Sequence, residues 1–308
     1  MPNHHILLAI DGTGSSNWMR RDGLNSHVHR FMSDFQGGYG VSKIFRHGPE
    51  GATGLDVGSI IDEGVRDVYR MIGRALTNGA NLNDIKINLV GHSRGGFAVL
   101  KIANFLQNPI SFVRPASRGA QEVQFFNRTM GQSIPPSLNV NFIGLFDAVK
   151  RAAVETEGDL SLQNVNKVAH AIRQNMNRSR ISFSGIDIPS ATNTQFDTSH
   201  GGVGGDPGFF TQWSLGAGTD IYCNALDLIG EEGWVQRLNP YGSWRPQGSR
   251  QERILQVRGF WQSSINADTF LRSQAQQANV PLSGQSQHIP WQEGDEIRGQ
   301  QLRRIIGM

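Results

Sequence analysis

Three residues of this chain, in the order Ser93, Asp147 and His200, could together carry out acyl transfer. A serine hydroxyl is a weak nucleophile alone. It needs an imidazole to take its proton and a carboxylate to fix the imidazole tautomer and stabilise the imidazolium. Ser93 lies in Gly91-His92-Ser93-Arg94-Gly95-Gly96, which joins the apolar-alternating run Ile85 to Val90 to the helix-like stretch Phe97 to Leu106. A nucleophile elbow requires that context, with small residues two positions either side so that a sharp strand-to-helix turn can form. The helix N-terminus then brings backbone N–H groups and positive partial charge beside the serine.

Asp147 closes the apolar run Leu138 to Phe146, the end of a strand from which an orienting carboxylate would project; Asp187 and Asp197 are the competing acids. His200 lies in Asp197-Thr198-Ser199-His200-Gly201-Gly202-Val203-Gly204-Gly205, where glycines free the ring to approach Ser93; His288 is the alternative base. His92 is read as lining the pocket or packing beneath it. An oxyanion hole needs two N–H donors. Arg94, the residue after the serine, would supply one. Gly12 or Thr13, in the early turn Asp11-Gly12-Thr13-Gly14, would supply the other, with Asp11 bracing the loop. His27-x-His29 has ligand-like spacing without a converging third ligand, so no metal and no cofactor is expected.

These residues need a scaffold of alternating strands and helices. Residues 5–10 predict a strand, and 15–59 a loop-rich stretch. Ile61, Val65, Val68, Ile72 and Leu76 recur at helical spacing, predicting a helix over 60–77. Strand 85–90, helix 96–106 and strand 138–146 follow. Val165, Val168, Ala169, Ile172 and Met176 predict a second amphipathic helix, and Arg180 to Ile188 a strand. The alternation points to an α/β fold: a mostly parallel central sheet with helices on both faces. No linker divides the chain, so residues 1–308 are expected to form one domain. Residues 107–136, irregular with Phe112, Val113, Phe125 and Phe126, are a candidate lid or cap.

Composition narrows the function classes. The 308 residues are 38% hydrophobic and carry a formal net charge of +3 without a Lys/Arg cluster, so nucleic acid is not an expected partner. Mean hydropathy is −0.36. No apolar run approaches the roughly 20 residues of a membrane span, and no signal-peptide pattern opens the chain. The lone Cys223 excludes an internal disulfide. Cytoplasmic synthesis is expected, with export by a route that needs no signal peptide still open.

Four segments taken together resemble a known family: Ile10 to Gly14, Gly91 to Gly96, Gly144-Leu145-Phe146-Asp147-Ala148-Val149, and Ser199 to Gly205. Over roughly residues 5–210 the chain is similar to the α/β hydrolases that include the type VI secretion lipase effectors. Gly48-Pro49 and Val65 to Tyr69 fall where that family has similar segments. The resemblance implies an α/β-hydrolase fold and a serine esterase or phospholipase in which Ser93, Asp147 and His200 are nucleophile, acid and base. It also implies an ester or lipid substrate, transient contact with a membrane surface, and a secretion or immunity partner. Ala148 stands where the family has threonine, and Gly201-Gly202 where an acidic residue is common. The membrane-anchoring region of larger effectors has no counterpart, so a smaller ester is also an expected substrate. Residues 211–308, with five of the tryptophans, carry no recognisable chemistry.

Two readings of other classes stand beside hydrolysis of carboxylic esters through an acyl-enzyme. One is a hydrolase-fold protein that binds without catalysis. The other is an actin-like phosphotransferase, because Ile10 to Gly14 also resembles a sugar-kinase phosphate loop.

Overall fold

The computed structural model describes residues 4–12, 26–37, 42–49, 56–107, 137–150, 160, 162–174, 185–198, 200–205 and 250–284. Six strands form one sheet: β1 (His4–Ile10), β2 (Lys43–Arg46), β3 (Ile85–His92), β4 (Val140–Phe146), β5 (Val168–Arg173) and β6 (Thr192–Phe196). Their order is β2-β1-β3-β4-β5-β6, and every neighbouring pair is parallel. The helices are α1 (His27–Asp34), α2 (Val57–Thr77), α3 (Ser93–Gln107), α4 (His200–Val203) and α5 (Arg250–Gln277). This is an α/β arrangement, an all-parallel central sheet with helices, and the serine turn follows a central strand.

Strand alternation sends apolar side chains to both faces, and each face has its own core. On one, Ile6, Leu8, Ile10, Ile87 and Leu89 meet Val65, Val68 and Ile72 of α2 and Val99, Ile102 and Leu106 of α3. On the other, Leu7, Ala9, Val90, Phe142 and Phe146 meet Val28 and Phe31 of α1 and Ala267, Leu271 and Ala275 of α5. Helix α3 is buried from Ser93 to Leu106, as a helix covered on all sides is, and its polar Arg94, Lys101 and Asn104 are buried with it. An eight-residue helix such as α1 is marginal by propensity. Burying Val28 and Phe31 contributes about 3–6 kcal/mol that propensity cannot, and Ser26 Oγ caps it by accepting from His29 N–H (3.2 Å). Polar ties add direction: Arg46 of β2 bonds Glu63 and Asp67 of α2, while Arg272 of α5 pairs with Asp34 of α1 (2.8 Å).

Several expectations change. The helix expected around 165–176 is strand β5 over its central part: Val168 faces one core and Ala169 and Ala171 the other. A strand buried on both faces shows no alternation, so its apolar spacing can mimic a helix. In the described part of 180–188, Gly185 makes one antiparallel bridge to Val149, and the strand extending the sheet is β6 instead. The stretch 15–59 contains α1 and β2, and 211–308 contains α5. The lid expected at 107–136 lies beyond Gln107 outside the described residues. The chain returns where Leu138 N–H donates to the Leu106 carbonyl (2.8 Å). That is the far end of α3 from Ser93, about 20 Å away at 1.5 Å per residue.

Candidate active site

The turn from β3 into α3 puts Ser93 at φ +56°, a left-handed conformation rare outside glycine. Glycines make room for it. A Cβ on Gly91 would lie 2.6 Å from the Gly95 carbonyl oxygen, and one on Gly95 would overlap the Asp11 and Ile10 carbonyl oxygens. Gly96 likewise abuts Ala148, where an added Cβ would lie 2.7 Å from that residue's Cβ. The first turn of α3 therefore rests on the carboxyl ends of β1 and β4, which fixes the serine in space. Gly95→Ala forces a methyl against backbone that cannot swing aside. It should lower unfolding free energy by about 1–3 kcal/mol in urea denaturation; a variant with the wild-type midpoint would contradict this packing.

Asp147 follows β4 at φ +43°, a conformation aspartate tolerates better than most residues. Its N–H donates to the Ala171 carbonyl (2.7 Å), and the next N–H, of Ala148, donates to His170 Nε2 (3.0 Å). His170 Nε2 must then be unprotonated; burial above all lowers this ring's pKa, to about 4, with Arg173 adding to the effect while Asp147 and Asp187 oppose it. Val149 N–H bonds the Ser93 carbonyl (3.2 Å), closing the link between the two strand ends.

His200 opens α4 and meets both partners. Its Nδ1 lies 2.7 Å from Asp147 Oδ2, and its Nε2 lies 2.8 Å from Ser93 Oγ. A carboxylate only accepts, so Nδ1 carries the proton and Nε2 accepts from the serine hydroxyl. All three side chains are buried. Burial raises the pKa of the Asp147 carboxyl, yet the hydrogen bond and charge of His200, joined by Arg173, together outweigh it and hold the group well below the usual carboxylate range. For His200 burial is the largest influence and lowers its pKa; Asp147 opposes, while His92 and Arg173 reinforce the fall, to about 4. At neutral pH the ring is therefore free to accept a proton.

The loop carrying His200 is held from three elements. His92 Nε2–H donates to the His200 carbonyl (3.2 Å), and its ring fills the space where Cβ atoms of Gly12 and Gly204 would stand. His27 of α1 donates its backbone N–H to the Gly204 carbonyl (2.9 Å). Ser264 of α5 donates its hydroxyl to the Gly202 carbonyl (2.6 Å), and His27 Nε2 lies 3.0 Å from that hydroxyl. His27 thus serves packing, and His29, two positions on, lies beside Phe45 (ring centroids 5.1 Å apart). Among the described residues no group of three His, Cys, Asp or Glu could hold a metal.

In the early turn, Gly12 N–H donates to Asp11 Oδ1 (2.7 Å). The other Asp11 oxygen accepts from Ser26 Oγ, tying β1 to the cap of α1. Asp11 thus braces the loop from both of its carboxylate oxygens. Thr13 lies outside the described residues, as do His288 and the side chains of Trp213, Trp234, Trp244, Trp261 and Trp291. Arg94, in the first turn of α3, sits where helix N–H groups gather. Sequence reading missed Arg173, the last residue of β5, whose Nη1 donates to Asp147 Oδ2. Reading residues 168–173 as a buried strand ending in a cation would have revealed it.

Comparison with known proteins adds distant structural likeness. No protein-family model matches the chain, and no curated protein matches it by sequence. A solved structure described as the Tle1 effector bound to the VgrG spike from the type 6 secretion system aligns over 66% of this chain at 19% identity and TM-score 0.42. An uncharacterised protein from Pseudomonas aeruginosa aligns over 99% at 13% identity and TM-score 0.39. The aligned chain spans about half (51%) of the first and 62% of the second.

Proposed function

We propose that this protein is a serine hydrolase of carboxylic esters. The observation that carries the reading is the unbroken path from Ser93 Oγ through the His200 ring to Asp147, with 2.8 and 2.7 Å steps. Ser93 Oγ attacks the ester carbonyl carbon while His200 Nε2 takes its proton. The tetrahedral intermediate collapses, and the alcohol leaves with the proton from His200. Water, deprotonated by the same nitrogen, then attacks the acyl-Ser93 ester and releases the acid. Asp147 stays ionised throughout and stabilises the imidazolium. Arg94 N–H is one oxyanion donor, and Gly12 or Thr13 N–H is the candidate for the second.

The finer reading is a lipid or phospholipid ester, taken at a membrane surface by a chain that is made in the cytoplasm, exported without a signal peptide and matched to a secretion or immunity partner. It rests on the motif resemblance. Among the described residues no helix is long and apolar enough to cross a membrane. In this reading residues 1–308 form one hydrolase domain.

The test is intact-mass labelling with a fluorophosphonate, which phosphonylates activated serines. One adduct on the wild type, absent from Ser93→Ala, is expected. Folded wild type that takes no adduct would overturn the hydrolase reading and favour a hydrolase-fold binding protein.

A further inference from the structure

We infer that Arg173 is a positioning residue of this site: its guanidinium shares Asp147 Oδ2 with His200 and stands against the positive charge the ring gains on taking the Ser93 proton. The inference deepens the acid–base reading above and rests on it. Arg173 ends β5, the neighbour of the strand that ends in Asp147, and alternation places it on the same face as Ala169 and Ala171. It is 2% exposed. Its Nη1 donates to Asp147 Oδ2, the atom that also accepts from His200 Nδ1, and lies 3.2 Å from that Nδ1. Both nitrogens are donors, so this last approach is a charge contact and not a third hydrogen bond.

A serine–histidine–aspartate set without such a cation is net negative at rest and becomes neutral when the imidazolium forms. With Arg173 it is neutral at rest and becomes positive. The carboxylate is better fixed, since two donors hold one oxygen, while the imidazolium is less favoured. His200 therefore stays unprotonated, and competent as a base, into more acidic solution. Other groups face the same ring. His92 of β3 approaches with its ring centroid 5.0 Å from that of His200 and Asp11 behind it (3.8 Å from His92 Nδ1). His170 of β5 lies beside Asp147, and α1 and α5 reach the loop through His27 and Ser264. A charged His92 would act in the same direction as Arg173, so only substitution of the arginine isolates its share.

The experiment is a pH titration of the His200 ring by nitrogen-15 NMR in Ser93→Ala protein, its signal assigned by its loss in His200→Gln. In parallel, the fluorophosphonate labelling rate is followed from pH 3.5 to 9 in Ser93-containing protein. Arg173, Arg173→Met, Arg173→Gln and Arg173→Lys are compared in both. With arginine, ring and labelling rate should titrate well below the ordinary histidine value of about 6.5. In the methionine and glutamine proteins the midpoint should rise by about one pH unit or more, so that near pH 5 labelling falls to about half of each variant's own plateau or less, while the arginine protein keeps most of its plateau. Lysine should restore part of the shift. A merely structural arginine would lower the plateau and leave the midpoint in place, which would overturn the inference. So would a ring that titrates at 6.5 or above with Arg173 intact, a result available even if the neutral variants do not fold. Absence of labelling at every pH would refute the nucleophile, and the ring titration would still decide the arginine.

Discussion

His200→Ala should lower kcat/KM on a short-chain carboxylic ester by about 10^4- to 10^6-fold, the range seen when one member of a cooperating set is lost. The size follows from what the ring does. Without Nε2 at 2.8 Å, the Ser93 hydroxyl has no base, and the departing alcohol has no acid. Stability should move far less than rate. The Asp147 carboxylate keeps Arg173 as a partner after the ring is gone, so no buried charge is orphaned. Initial rates and a thermal melt on the same preparation check both halves. Residual turnover above a few per cent would mean that another group, such as His92 or His288, acts as the base.

Asp147→Asn should fail in both respects. Turnover should drop by about 10^4-fold, because an amide can donate to Nδ1 and favour the wrong histidine tautomer. The same change removes the carboxylate from the fully buried Arg173, and breaking a buried pair from one side costs about 3–5 kcal/mol. Urea denaturation beside steady-state kinetics separates the two effects. The contrast with His200→Ala is diagnostic: similar catalytic loss, very different unfolding midpoints. Near-normal turnover in Asp147→Asn would hand the acid's role to Asp187 or Asp197.

Much of the scaffold was legible because its signals are local. β1, β3 and β4 are apolar runs that end in Asp11, the Gly91–Gly95 turn and Asp147, and α2 carries a clear 3.6-residue repeat. The missed elements take their stability from distant partners. β6, Thr-Asn-Thr-Gln-Phe, is polar and half exposed at the sheet edge, so only pairing with β5 defines it. The four residues of β2 are half-buried and depend on β1 in the same way. α1 is polar except for the face buried against the sheet. The site divides similarly. Ser93, Asp147 and His200 could be nominated from type and position. Arg173 was hidden because its contact with Asp147 depends on strand register, and a helical reading of that segment removed it from the sheet. The Asp11 side chain that the sequence suggested as a loop brace does hold the Gly12 N–H.

Asp11, Ser93, Asp147 and Arg173 follow or end four adjacent strands, β1, β3, β4 and β5, with no strand between them that lacks a contribution. The sheet thus acts as a ruler, each strand stepping the next residue across by about 4.8 Å. A ruler of this kind is indifferent to the length of the connections between its marks. Extra residues could be added to those connections, changing what the surface reaches or covers, while the marks stay where they are. One residue deleted inside β4 would instead carry Asp147 back into the place of Phe146 and turn its side chain to the opposite face. Over evolutionary time, then, length variation should be tolerated freely between the strands and almost never within them.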